Sequence, residues 1–407
     1  MADSNVQLTT ALIHHPYAPP DGFEAPQPGV FKASTIFFNS VADLRARYRS
    51  VIDNDSYTYG LRGTPTTYLL EERLCALEGG NRCVLVPSGL AAVALTNLAL
   101  LKSGDEVLIP DNVYGPNKTL AEHELKAWGI THQVYDPMDP HDLEAQISSR
   151  TKLVWVEAAG SVTLEFPDLL ALVRICKRRG ITVALDNTWG AGLAFRPFDL
   201  VPGELPALGV DISVHALTKY PSGGGDVLMG SVITRDATLH ARIKRTHMHL
   251  GMGLGANDVE LVLRSLPSME LRYRAHDEAT RTLALWAQQQ KEFVQVLHPA
   301  LPESPGHAHW KDLCVNGIGG AAGLFSVVLD TRFTQAQVDA FCDTLQLFRL
   351  GYSWGGPVSL VVPYDLATMR ATWPAHIVAG TVVRFSIGLE AAADLQADLA
   401  RALQTLR

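Results

Sequence analysis

The chain reads as an α/β protein. A large domain is built on a mostly parallel sheet, followed by a smaller C-terminal α+β domain and preceded by an N-terminal arm. Three observations carry this reading. Residues 64–255 alternate short apolar strand candidates with helical segments, which is the pattern of a parallel sheet covered on both faces. An amphipathic stretch beginning at Asn257 leads into a strand–helix–strand series. Residues 17–29 are too rich in proline to pack as a regular element. The boundaries drawn from these patterns are 1–63 for the arm, 64–256 for the large domain and 257–407 for the small one.

In chain order, residues 43–52 predict a short helix within the arm, and 66–77 a helix that opens the large domain. Residues 83–101 carry no charge, and their length alone permits a membrane span. Pro87-Ser88-Gly89 interrupts the run, so a glycine turn and a buried helix over 90–101 are expected, with no membrane partner. Strands are expected at 106–110, 131–135, 153–157, 182–186, 212–215 and 227–233. Helices are expected at 118–128, 141–147 and 168–179. A long helix from residue 257 then leads to a strand at 324–329, a helix at 334–345 and a strand at 381–387.

With 407 residues, 47 % of them hydrophobic and 19 % charged, the chain can bury a large core and form two or three domains. The net charge is −8 and no Lys/Arg cluster stands out, which argues against a nucleic-acid partner. Five cysteines are scattered without a CxxC pair, as in a reducing cytoplasm. The opening MADSNVQLTT lacks the basic and apolar regions of a signal peptide. His247 and His249 stand two apart and no HExxH occurs, so no metal set is expected.

The chemistry concentrates between Val183 and Gly230. Asp186 closes the apolar run Val183-Ala184-Leu185, and Lys219 follows the run from Ile212. Open α/β sheets bind ligands beyond the carboxyl ends of their strands, where both residues fall. A lysine amine can hold an aldehyde as an imine, and a buried carboxylate can keep a pyridine nitrogen protonated; pyridoxal phosphate (PLP) chemistry needs both. Alone, such an Asp and Lys would read as a loop cap and a surface charge. Ser88-Gly89-Leu90 stands at a helix start, where backbone N–H groups can receive a phosphate. Tyr114, just past the strand at 106–110, can stack on an aromatic ring. Arg384 lies among Val382, Val383 and Phe385; burying it is costly unless it meets an anion, and a guanidinium grips a carboxylate bidentately.

The strings DNTWGAG, ALTKYPSGGGD and GYSWGGPVSL resemble the cystathionine β-lyases, within the Cys/Met-metabolism family of fold-type I PLP-dependent enzymes. The resemblance runs from about residue 9 to 403. It implies that Lys219 binds the cofactor and moves the substrate's α-proton, and that Asp186 faces the ring nitrogen. It further implies that Gly89, Leu90 and Thr218 hold the phosphate, and that Tyr114 stacks on the ring and takes a proton from the substrate amine. Arg384, with Ser353 and Trp354, would hold the α-carboxylate. Tyr59 would cross from a neighbouring subunit to the phosphate, making a homo-oligomer with shared active sites, a tetramer built from dimers. The family pattern has Arg two places after that tyrosine; Leu61 stands there and Arg62 comes next, to replace the charge or to meet substrate. Ala216 stands where many relatives have Ser. Tyr352 stands where γ-synthases and γ-lyases commonly have Glu, which favours β-elimination. Glu157 and Asp226 are expected to brace loops near the cofactor.

The function implied is β-elimination of L-cystathionine to homocysteine, pyruvate and ammonia, a step of methionine biosynthesis. The alternatives are another cysteine-S-conjugate β-lyase or γ-lyase, and a PLP-binding regulator without turnover.

Overall fold

The computed structural model describes residues 7–15, 20–47, 56–314 and 318–406. The arm contributes α1 (Leu8–Ile13) and α2 (Val41–Arg47). The second of these is the helix predicted over 43–52; the remainder of that prediction lies outside the described residues.

A seven-stranded sheet organises the chain from residue 65 to 250. Its elements run α3 (Pro65–Glu78), β1 (Arg82–Val86), α4 (Gly89–Leu100), β2 (Glu106–Pro110), α5 (Gly115–Leu120), β3 (Thr131–Tyr135) and α6 (Pro140–Gln146). They continue with β4 (Thr151–Glu157), α7 (Leu169–Arg179), β5 (Thr182–Asp186), β6 (Ile212–Ala216), β7 (Gly230–Thr234) and α8 (Ala237–Leu250). The strand order is β1-β7-β6-β5-β4-β2-β3. Strands β6, β5, β4, β2 and β3 run parallel, while β7 is antiparallel to both its neighbours.

Alternation along each strand feeds two separate cores, as a doubly covered sheet requires. Val84, Ile109, Trp155 and Ala184 pack on the α4 and α8 side. Leu85, Leu108, Val156 and Leu185 pack on the other, with α3 and α7. Local signals fix the helix ends that matter. Ser88 caps α4 by accepting from Ala91 N–H, and Thr64 caps α3, with Pro65 in the first turn.

The second half begins with α9 (Ala256–Ser265) and α10 (Met269–Ala287). The single long helix expected from residue 257 is thus two: Pro267 sits in the intervening 3-10 turn at Leu266–Ser268, where a proline cannot donate to the α ladder. There follow β8 (Phe293–Leu297), α11 (His307–Cys314), β9 (Leu324–Asp330), α12 (Gln335–Thr344), β10 (Arg349–Leu350), β11 (Leu360–Tyr364), β12 (Gly380–Ser386) and α13 (Ala392–Ala402). The five strands pair in the order β10-β11-β12-β9-β8, and their own core gathers Phe325, Phe341, Phe348 and Phe385. The fold is therefore α/β with a mostly parallel main sheet and a second, smaller sheet. Among the described residues no helix is long and apolar enough to cross a membrane.

Candidate active site

The carboxyl ends of β2, β4, β5 and β6 and the start of α4 converge on one pocket. Its walls include Gly89, Leu90, Tyr114, Glu157, Asp186, Thr218, Lys219 and Trp354. All eight are residues that the sequence singles out.

Asp186 ends β5, and its carboxylate accepts from Thr188 N–H at 3.0 Å. Burial raises its pKa; the Thr188 bonds and the nearby His215 and Lys219 work against that rise. Lys219 follows β6 and donates to Ser353 Oγ at 3.0 Å. Its ammonium also lies 4.5 Å from the centre of the Trp354 ring. Burial, with Arg384 close by, pulls the Lys219 amine down to about 8, and Asp186 opposes this. Both causes are electrostatic: a desolvated ammonium beside a guanidinium gives up its proton more readily.

Gly89 and Leu90 are the first residues of α4, so their N–H groups have no acceptor within the helix. Gly89 is required there by contact: a Cβ would lie 2.6 Å from Ala216 Cβ and 3.2 Å from its Cα. Thr218 exchanges bonds with Met229, its hydroxyl accepting from Met229 N–H at 3.2 Å. That exchange accounts for the strand predicted at 227–233 starting only at Gly230.

Tyr114 caps α5, and its own N–H donates to Glu157 Oε2 at 2.8 Å. Burial, then Asp186 and Glu157, raise the phenol pKa. In the protein alone the phenol is thus neutral, able to stack and to donate.

Arg384 is only 5 % exposed. It donates to the Ser161 carbonyl at 2.8 Å and stacks near Trp354 and Tyr364, at 5.2 and 5.3 Å from the ring centres. Among the described residues it has no carboxylate within ion-pair distance. A buried guanidinium held by one carbonyl and two rings has donors left for an anion.

Tyr59 and Arg62 do not line this pocket. Tyr59 is half exposed, and Arg62 donates to Thr58 Oγ1 at 3.2 Å, beside a separate cleft with Lys244 and Gly253. Within one chain the structure leaves both apart from Lys219.

Other residues around the pocket escape the sequence patterns. Trp189 lines it and, like Trp354, has a buried indole N–H without a protein acceptor among the described residues. Tyr364 flanks Arg384 from β11. Beneath the floor, Glu78 accepts from His215 Nδ1 at 2.9 Å and from Asn187 Nδ2 at 3.2 Å, tying together the ends of β5 and β6. Only the string DNTW carries a signal for Trp189; Tyr364 and Glu78 depend on tertiary contacts.

The sequence matches the model of the Cys/Met metabolism PLP-dependent enzymes over residues 9–404. It is 36 % identical over 411 residues to "Cystathionine beta-lyase" of Bordetella avium, covering 99 % of both chains. It is 33 % identical over 387 residues to "L-alanine/L-glutamate racemase" of Wolbachia pipientis wMel, covering 93 % of this chain and 92 % of that one. The fold superposes on the crystal structure of cystathionine gamma synthase from Xanthomonas oryzae pv. oryzae in complex with aminoacrylate and cysteine, with a TM-score of 0.85, 28 % identity and 98 % of each chain covered. The fold and pocket define a PLP-dependent enzyme of amino-acid metabolism. The chain belongs to the Cys/Met metabolism PLP-dependent enzyme family.

The pocket fits that cofactor. The first amides of α4, the carboxylate of Asp186 and the Lys219 amine with its lowered pKa all line the one pocket.

Proposed function

We propose that the chain is a carbon–sulfur lyase that β-eliminates L-cystathionine to homocysteine, pyruvate and ammonia. One observation carries this reading: Lys219 and Arg384 share the Trp354 ring, at 4.5 and 5.2 Å from its centre. A carboxylate gripped by Arg384 sets the adjacent Cα within reach of the Lys219 amine.

Bound PLP supplies the electron sink that acidifies the Cα–H bond and lets the Cβ–S bond break. The rest falls to the chain. Lys219, its pKa lowered to about 8, is neutral far more often than an ordinary lysine and can take the Cα proton. Ser353 holds the amine in place. Asp186 would answer the charge of a protonated ring nitrogen, Gly89 and Leu90 would offer amides to the phosphate, Thr218 would offer its hydroxyl, and Tyr114 would cover the ring. Trp354 packs beside the carboxylate grip.

The same reading extends to the organisation of the chain. The arm (1–63), large domain (64–256) and small domain (257–407) would assemble as a homotetramer built from dimers. Tyr59 and Arg62 of one copy would complete the pocket of another; their distance from their own chain's pocket supports this. Five cysteines without disulfides are in keeping with a cytoplasmic enzyme of methionine biosynthesis.

A second reading, another cysteine-S-conjugate lyase, is favoured by the exposed leucines in the pocket wall, Leu90 and Leu228, and by Leu61 where an arginine is expected. Product analysis separates the readings. The purified enzyme is given L-cystathionine, S-methyl-L-cysteine and L-alanine in turn. Pyruvate with homocysteine from cystathionine supports the proposal. Release of 2-oxobutyrate with cysteine, preference for the small conjugate, or racemisation of alanine without elimination would overturn it.

A further inference from the structure

Glu157 is the last residue of β4, 6 % exposed, and lies in register with Asp186 of the neighbouring strand. Two carboxylates side by side at a pocket floor repel one another. Desolvation and the Asp186 charge push the Glu157 carboxyl upward, while the bonds from the Ser161 hydroxyl and the Tyr114 N–H favour its ionised form. A merely structural brace could be a glutamine, which would avoid that cost.

What the carboxylate holds explains its place. Oε2 accepts from the Tyr114 backbone N–H at 2.8 Å, and Oε1 accepts from the Ser161 hydroxyl at 2.7 Å. The Ser161 carbonyl in turn accepts from Arg384 Nη1 at 2.8 Å, the one hydrogen bond between the described protein and that guanidinium. Glu157 thus fixes the loop carrying Tyr114 with one oxygen and the loop aiming Arg384 with the other. The two loops come from different parts of the chain, one following β2 and the other following β4. A carboxylate can accept from both at once, whereas an amide has a single acceptor oxygen.

We propose that Glu157 is a positioning residue for substrate recognition: through Ser161 it sets the aim of Arg384 at the α-carboxylate, while holding Tyr114 over the cofactor ring. The inference rests on the proposed role of Arg384, and the experiment separates the two.

L-Alanine and ethylamine differ only by the α-carboxylate. The ratio of their inhibition constants against the holoenzyme therefore measures recognition of that group. Three variants are compared with the wild type: Arg384→Lys, Glu157→Gln and Ser161→Ala. The last keeps the Ser161 carbonyl and removes only its bond to Glu157. Arg384→Lys is expected to collapse the ratio. Glu157→Gln is expected to lower it roughly tenfold and to shift the cofactor absorbance band through Tyr114. Ser161→Ala is expected to lower it less, leaving the band unchanged. If Arg384→Lys collapses the ratio while Glu157→Gln and Ser161→Ala leave it at the wild-type value, Glu157 is only a brace and the inference falls. It falls likewise if Glu157→Gln does not fold and Ser161→Ala leaves the ratio unchanged. If Arg384→Lys also leaves the ratio unchanged, the role given to Arg384 falls with it.

Discussion

The Lys219 ammonium donates to the Ser353 hydroxyl at 3.0 Å, which joins the main sheet's catalytic edge to the loop before β11. A hydroxyl can accept from an ammonium and equally donate to a neutral amine, so this contact tolerates either protonation state. The lowered basicity comes from burial and from Arg384 rather than from Ser353.

It follows that the amine titrates early. In protein stripped of cofactor, Lys219 is expected to react with a small amine-directed reagent along a pH curve with its midpoint near 8. Below that pH the amine is protonated and slow; above it, neutral and fast. Peptide-resolved labelling from neutral to strongly alkaline pH checks this, and a midpoint at the ordinary lysine value of 10.5 would refute it.

Asp186→Asn keeps the shape of the β5 terminus and removes its charge. Without that anion the ring nitrogen loses its favoured proton, so turnover is expected to fall by at least about a hundredfold, or roughly 3 kcal/mol. Retention of PLP on dialysis should fall as well. Steady-state kinetics and the absorbance of the dialysed protein read the two effects; near-normal turnover would remove Asp186 from the site.

At the start of α4, Gly89→Ala forces a Cβ against Ala216. Such overpacking costs about 1–3 kcal/mol, and here it moves the amides proposed for the phosphate. PLP affinity is expected to drop about tenfold. Adding Ala216→Gly, which removes the nearest clashing atom, should recover part of the loss. Equilibrium titration with PLP measures both variants.

Away from the pocket, Glu165 is buried against Arg370, His376, Thr163 and Asn112. Its carboxyl is held down to about 2, against an ordinary 4.5; burial alone would raise it, and the His376 bond and Arg370 charge outweigh that. A lowering of this size corresponds to about 3 kcal/mol. This stability is fully present above the ordinary value of 4.5 and is lost as pH falls towards 2. Glu165→Gln is therefore expected to be less stable at neutral pH and to lose less on acidification. Urea unfolding at neutral pH and at about pH 3 tests the difference in slope.

Much of this was legible in the sequence because the relevant signals are local. The strands Glu106–Pro110, Thr131–Tyr135 and Thr182–Asp186 fall where alternation and apolar runs placed them. Asp186, Lys219 and Arg384 were visible as charges at the ends or in the middle of apolar strands. What was missed depends on pairing between distant segments. β1 overlaps the start of an uncharged run that also contains α4; the break at Pro87-Ser88-Gly89 separates the two, but the strand character shows only in the ladder with β7. The break at Pro267 hides in a sequence that stays amphipathic on both sides. The bonds made by Glu157 span 43 residues to Tyr114 but only 4 to Ser161, so no single spacing announces them. Tyr59 and Arg62 are legible as a motif, yet one chain alone does not bring them to Lys219.

Every role proposed for the pocket depends on Lys219 being the residue to which PLP attaches and on which elimination relies. Borohydride reduction of the holoenzyme fixes the cofactor to its lysine, and peptide mapping then locates it. One pyridoxyl group per chain is expected, on Lys219, with pyruvate release from L-cystathionine abolished in step with labelling. A pyridoxyl group on another lysine, or undiminished pyruvate release from fully reduced protein, would contradict that assignment.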